Sequence, residues 1–191
     1  MSSILFEMMD RLEPSLRAGD LEGCEMAIET RMRSMPVTPF HAVLNLAITN
    51  DPQDVALHFD RFFKQEAVRF SIAAACTEMN GFDINPDRWY CDCFAYSAYG
   101  GHEDYDWLSD WQSERFDDYT IKGLEELQQV YASGALLDDN CSDASQLTSL
   151  LVVIKFQRLI ERASRSMKHL SFPLLSTAHD FDFIAEAVCS T

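Results

Sequence analysis

Glycine is scarce and never grouped for chemistry. The seven glycines of this 191-residue chain form no GxGxxG, GxxxxGK[ST] or GxSxG pattern, which removes the usual phosphate cradles and the nucleophile elbow. Bases are few as well, 15 Lys and Arg against 31 Asp and Glu, for a formal charge of −16. A field of that sign disfavours nucleic acid and anionic membrane. No long apolar run is present: the longest, residues 150–154 (LLVVI), falls far short of the ~20 residues a membrane span needs. The first residues, MSSILFEMMDRLEP, carry acids where a secretory signal has bases, and neither end shows a lipidation pattern. The six cysteines (Cys24, Cys76, Cys91, Cys93, Cys141, Cys189) lack zinc-type spacing. The expectation is a soluble cytoplasmic protein with reduced thiols and no cofactor.

The acidity is concentrated in one stretch. Residues 1–79 carry a net −5 and residues 144–191 a net +1, whereas residues 80–143 carry −12. Within that middle third, residues 88–119 hold all three tryptophans (Trp89, Trp107, Trp111), ten of the twenty-two aromatics, eight carboxylates and, at Gly100-Gly101, the one Gly-Gly pair. Aromatics give large rigid contact area and carboxylates set the sign of the field, so the segment reads either as unusual core or as a recognition surface.

Hydrophobic periodicity outlines the remaining elements. Ile4, Leu5, Met8, Leu12 and Leu16 recur at helical spacing up to Gly19, and Asp20 is placed to cap a second helix that ends at Pro36. Thr38-Pro39 and Asp51-Pro52 each read as an N-cap followed by proline at the first helical position, which predicts helices over 39–49 and 52–65. Alternation from Val68 to Cys76, turn chemistry at Asn80-Gly81 and Asn85-Pro86-Asp87, and the strand formers around Trp89 predict a hairpin of 68–78 against 88–97, although Val68, Ile72, Ala75 and Met79 fit a helix almost as well. Leu124, Leu127 and Tyr131 mark a helix stopping near Gly134, and a polar loop covers 138–143. A long helix over 144–167 carries Val153, Phe156, Ile160, Ala163 and Met167 on one side and Lys155, Arg158, Arg162 and Arg165 on the other. Residues 181–188 are apolar enough to dock as a final helix, with Asp180 as its cap.

The sequence therefore predicts an α+β fold, a predominantly α-helical single domain over 1–191. Its parts are a helical half (1–67), a small antiparallel hairpin or sheet with the acidic aromatic segment (68–119), and C-terminal helices including a long amphipathic one (120–191). The acidic segment 103–118 is expected to dock over the basic stripe of the long helix, relieving like-charge repulsion. Cys91 and Cys93, two apart on a strand, are expected to be buried small hydrophobes.

Two functional readings follow. In the first, Tyr99, Asp104, Tyr105, Asp106, Trp107, Asp110 and Trp111 form an acidic aromatic surface that seizes a basic protein partner, as an inhibitor or immunity-type protein does. In the second, His102, Asp104, Asp106, His179 and Asp180 hold a metal ion for hydrolysis, although the calcium-loop and zincin patterns both fail at this stretch.

Overall fold

Residues 3–187 are described in the computed structural model. The chain opens with α1 (Ile4–Arg17) and α2 (Leu21–Arg33), separated by Gly19 in the left-handed region and by Asp20, whose carboxylate accepts the Gly23 amide as the expected N-cap. Asp51 caps α3 (Pro52–Glu66) in the same way through the Gln53 amide. Between them, the predicted helix over 39–49 is instead a 3-10 segment, Pro39–Asn45. His41 fixes it: Nδ1 accepts the Thr38 amide at 3.1 Å and Nε2 lies 2.9 Å from the Met32 carbonyl. Beyond it the chain extends, because the Thr49 amide bonds Lys122 O and the Asn50 side chain bonds Thr120 O and the Lys122 amide.

The hairpin forms, shifted toward the turn, as β1 (Ala74–Asn80) against β2 (Tyr90–Tyr96). It is the centre of a larger sheet. Beside β2 lies the two-residue β3 (Tyr119–Thr120), while β4 (Leu174–Ala178) joins β1 in parallel and β5 (Ala185–Ala187) closes the far edge, giving the order β3-β2-β1-β4-β5. The final helix expected over 181–188 is thus a strand within the described residues; Val188 lies outside them. Ala185 and Ala187 face the core while Glu186 faces away, a period of two in an apolar stretch too short to distinguish from a helix by hydrophobicity alone. His179-Asp180 consequently sits in the β4-β5 turn, with Asp180 at φ 63°, and caps no helix.

The remaining helices are α4 (Glu125–Ala132) and α5 (Ser142–Ser164). Residues 150–154 of α5 are all fully buried, so this helix is apolar around its whole girth there, enclosed by α1, α2 and α3 on one side and the sheet on the other. Each such side chain contributes about 1.5–3 kcal/mol on leaving water. The basic stripe of α5 finds its counter-charge on α2 and not in the acidic segment. Lys155 Nζ is 2.8 Å from Glu25 Oε1, Arg158 binds the other oxygen of Glu25, and Arg165 pairs with Glu161 on its own helix. Helices α2 and α5 pack against each other, so Glu25 reaches these bases at almost no further cost in chain order.

Glu25 is nearly covered, with 13 % of its side chain exposed. Glu25→Ala leaves Lys155 and Arg158 only their longer contacts, to Glu29 at 3.8 Å and Glu22 at 4.0 Å, and urea unfolding should register a loss of about 1–3 kcal/mol, partly recovered by adding Lys155→Met. A loss indistinguishable from zero would mean that the bases reach water without this partner.

Candidate functional site

Alternation along the strands gives the sheet two different faces. Ala75, Met79, Cys91, Ala95 and Leu174 turn into the helical core. The opposite face presents Ala74, Cys76, Glu78 and Asn80 from β1, and Asp92, Phe94 and Tyr96 from β2. No α-helix among the described residues packs on its Ala74, Cys76, Tyr96 and Leu175 cluster. Instead the acidic aromatic segment folds across one half of that face, with Tyr105, Trp107 and Leu108 packed on Ala74, Cys76, Tyr96 and Leu175.

The Gly-Gly pair makes that cover possible. A β-carbon on Gly100 would stand 2.3 Å from Trp107 Cδ1, and Gly101, at φ 81°, offers its carbonyl to Trp107 Nε1 at 3.2 Å. The indole meets Tyr96 edge-on at 4.9 Å and Tyr99 at 5.5 Å, while the Tyr96 hydroxyl donates to Leu108 O at 3.0 Å. The returning chain is tied to β2 by the Gln112 amide on Ala95 O and by the Ala95 amide on Ser113 Oγ.

Past this cover the face stays open as a groove of about 510 Å³. Its floor includes Glu78 and Asp92, which are directly opposed in the β1-β2 register. Like charges across a strand pair repel, and burial raises both carboxyls above their ordinary values; Asp118 adds to the effect at Asp92, while His179 pulls Glu78 back. Asn80 donates to Asp92 at 3.0 Å and His179 Nδ1 stands 3.6 Å from Glu78. The rim adds Asp180 and Asp182, and one wall is Phe94 with Trp111 tilted over it at 5.3 Å, the indole residue 51 % exposed. The arrangement sets carboxylate acceptors beside an accessible aromatic face.

The residues expected to form a binding surface do not share one environment. Trp111 is exposed on the groove, and Tyr105 lines both this groove and a second cavity beside α1. Trp107 is turned inward as the anchor of the cover, with Tyr99 against it. Asp104 accepts the Asp106 amide at 2.8 Å, and Asp104, Asp106 and Asp110 all stand exposed on the loop. Trp89 is fully buried among Phe82 and Tyr131.

The alternative metal ligands do not converge. His102 faces Tyr99, Tyr105 and Glu186, whereas His179 and Asp180 border the groove near Glu78. Among the described residues no group of three or more His, Cys, Asp or Glu is placed to hold a metal ion. His41 and His58 also lie apart, the first in its 3-10 turn and the second packed on Phe116 and Tyr119. Burial raises the thiols of Cys76 and Cys93 and pushes Cys91 up to about 12, so these side chains are packing groups; Cys189 lies outside the described residues.

Glu78 and Asp92 were not singled out in the sequence, although alternation within the hairpin would have put both on the face away from the core. Their opposition depends on the register, which the turn sequence alone does not specify.

No known family model matches this chain, and no curated protein or solved structure matches it either. No helix among the described residues is long and apolar enough to cross a membrane.

Because burial raises both carboxyls, the folded protein takes up protons there more readily than the unfolded chain does. Their charges therefore oppose folding above the raised folded values, and that penalty shrinks as pH falls. Glu78→Gln with Asp92→Asn should raise the melting temperature at neutral pH, with the advantage narrowing toward acid. A lowered melting temperature at pH 7 would show that the pair is not a burden on the fold.

Proposed function

We propose that this chain is a non-catalytic cytoplasmic protein-binding module, of inhibitor or immunity type, that covers a basic patch of a partner protein with the open half of its sheet. The observation that carries the reading is the opposed Glu78–Asp92 pair beneath an exposed Trp111. A fold does not gain stability from two facing, half-buried carboxylates, but a Lys or Arg side chain entering the groove neutralises them and lies against the indole. Asp180 and Asp182 on the rim, with Asp104, Asp106 and Asp110 on the neighbouring cover, extend the negative field and speed encounter with a cationic surface. A metal-assisted hydrolase, the other reading of the sequence, gains no support from side chains that face different parts of the molecule.

Affinity capture from the native cell, followed by identification of the bound protein, tests the proposal. The captured protein should carry a basic surface, its retention should fall steeply with added salt, and Trp111→Ala should weaken it by about tenfold or more. Glu78→Gln with Asp92→Asn should weaken capture while leaving the protein folded. An acidic or neutral partner, or retention indifferent to salt and to Trp111, would refute the proposal.

A further inference from the structure

A second cavity, of about 520 Å³, lies on the other side of the cover, between α1 and the residues leading into β5. Its volume falls in the range of small-molecule sites. Phe6, Met9 and Leu16 of α1 form one wall, and Phe183 and Ile184 the other. Polar groups gather at one end. The Tyr99 hydroxyl donates to Glu186 Oε2 at 2.7 Å, His102 Nε2 lies 3.0 Å from the same oxygen, and His102 Nδ1 is 3.4 Å from the Tyr105 hydroxyl.

Both contacts fall on Oε2. Glu186 Oε1 accepts from no described residue, although only 17 % of the side chain is exposed. Negative charge is in excess here: Asp10, Glu13, Asp182 and Glu186 line the cavity against Arg17, which pairs with Glu13 at 2.7 Å, and His102. Leu16, Gly19 and Glu186 also border an adjoining recess of about 180 Å³, whose wall includes Gln157. Gln157 is 1 % exposed; its amide nitrogen donates to Ser176 O and Phe183 O, and its Oε1 has no partner among the described residues. A buried acceptor left unpaired is costly and calls for a donor.

We propose that this cavity binds an organic ammonium ion with an apolar body, its charged head on Glu186 Oε1 and its hydrocarbon part along Phe6, Met9 and Ile184. An anionic ligand would meet excess carboxylate, and a neutral one would add no counter-charge to the acids that line the cavity. Tyr99 and His102 fix the carboxylate without neutralising it fully, which pre-organises the acceptor. This cavity and the groove at Trp111 share Tyr105, Asp182 and Ile184, but Glu186 and α1 border the cavity and not the groove, so variants there separate this inference from the protein-binding reading.

Titration of 15N-labelled protein with phenethylammonium, followed by amide chemical shifts, tests it. Saturable shifts are expected at Ala18, Gly19, Phe183 and Glu186, with 2-phenylethanol and phenylacetate binding at least about tenfold more weakly. Glu186→Gln should weaken the amine by about tenfold or more, and Ala18→Trp, at an exposed position on the cavity rim, should block it without touching the carboxylate. Absence of saturation at millimolar amine, equal binding of the alcohol or the carboxylate, wild-type affinity in both variants, or shifts centred on Trp111 would each overturn the proposal.

Discussion

A sheet has two faces, and this chain supplies helices for one. Helices α3 and α5 pack on the face carrying Ala75, Met79, Cys91 and Leu174, with α5 buried through the middle of that core. The other face must meet water or be covered by irregular chain, and irregular chain carries backbone amides and carbonyls that themselves need partners. The solution is partial. A loop anchored by Trp107 covers the apolar half, at Ala74, Cys76, Tyr96 and Leu175, and the polar half stays open.

That division explains why the aromatic residues of one short segment behave so differently. Trp89 precedes β2 on the core side and is enclosed; Trp107 seats the loop against Gly100, which leaves room for it; Trp111 lies past the covered area and keeps half its surface in water. The segment is neither all core nor all recognition surface. Its interior rings pack the loop onto the sheet, while Trp111 and the neighbouring acids stay at the surface.

Electrostatics follow the same partition. On the helical side, charges are matched: Glu25 with Lys155 and Arg158, and Glu161 with Arg165. Around the loop and the open strands, Arg88 answers Asp118 and Arg69 answers Glu66 and Glu114, but Glu78, Asp92, Asp180 and Asp182 border the groove with His179 as the basic group nearest to Glu78. Of those four groove acids only Asp92 comes from the acidic middle third of the sequence; Glu78 precedes it on β1, and Asp180 and Asp182 lie between β4 and β5. The loop separates the groove from the cavity beside α1, and Tyr105 lines both.

Sequence alone determined what depends on neighbours along the chain. The caps at Asp20 and Asp51, the stop at Gly19, the hairpin and the long apolar helix were all legible, because capping, turn chemistry and helical period act within a few residues. Tertiary structure decided what depends on partners far away. Residues 39–49 gave up helix because Thr49 and Asn50 are claimed by Thr120 and Lys122, and residues 185–187 became a strand because β4 offered a free edge. Glu25, and not the acidic segment, took the bases of α5 because α2 already packs there. The opposition of Glu78 to Asp92, and the meeting of Glu186 with Tyr99 and His102, rest on strand register and on contacts between residues up to 87 positions apart. No local propensity encodes such separations; the free energy of the packed core selects them.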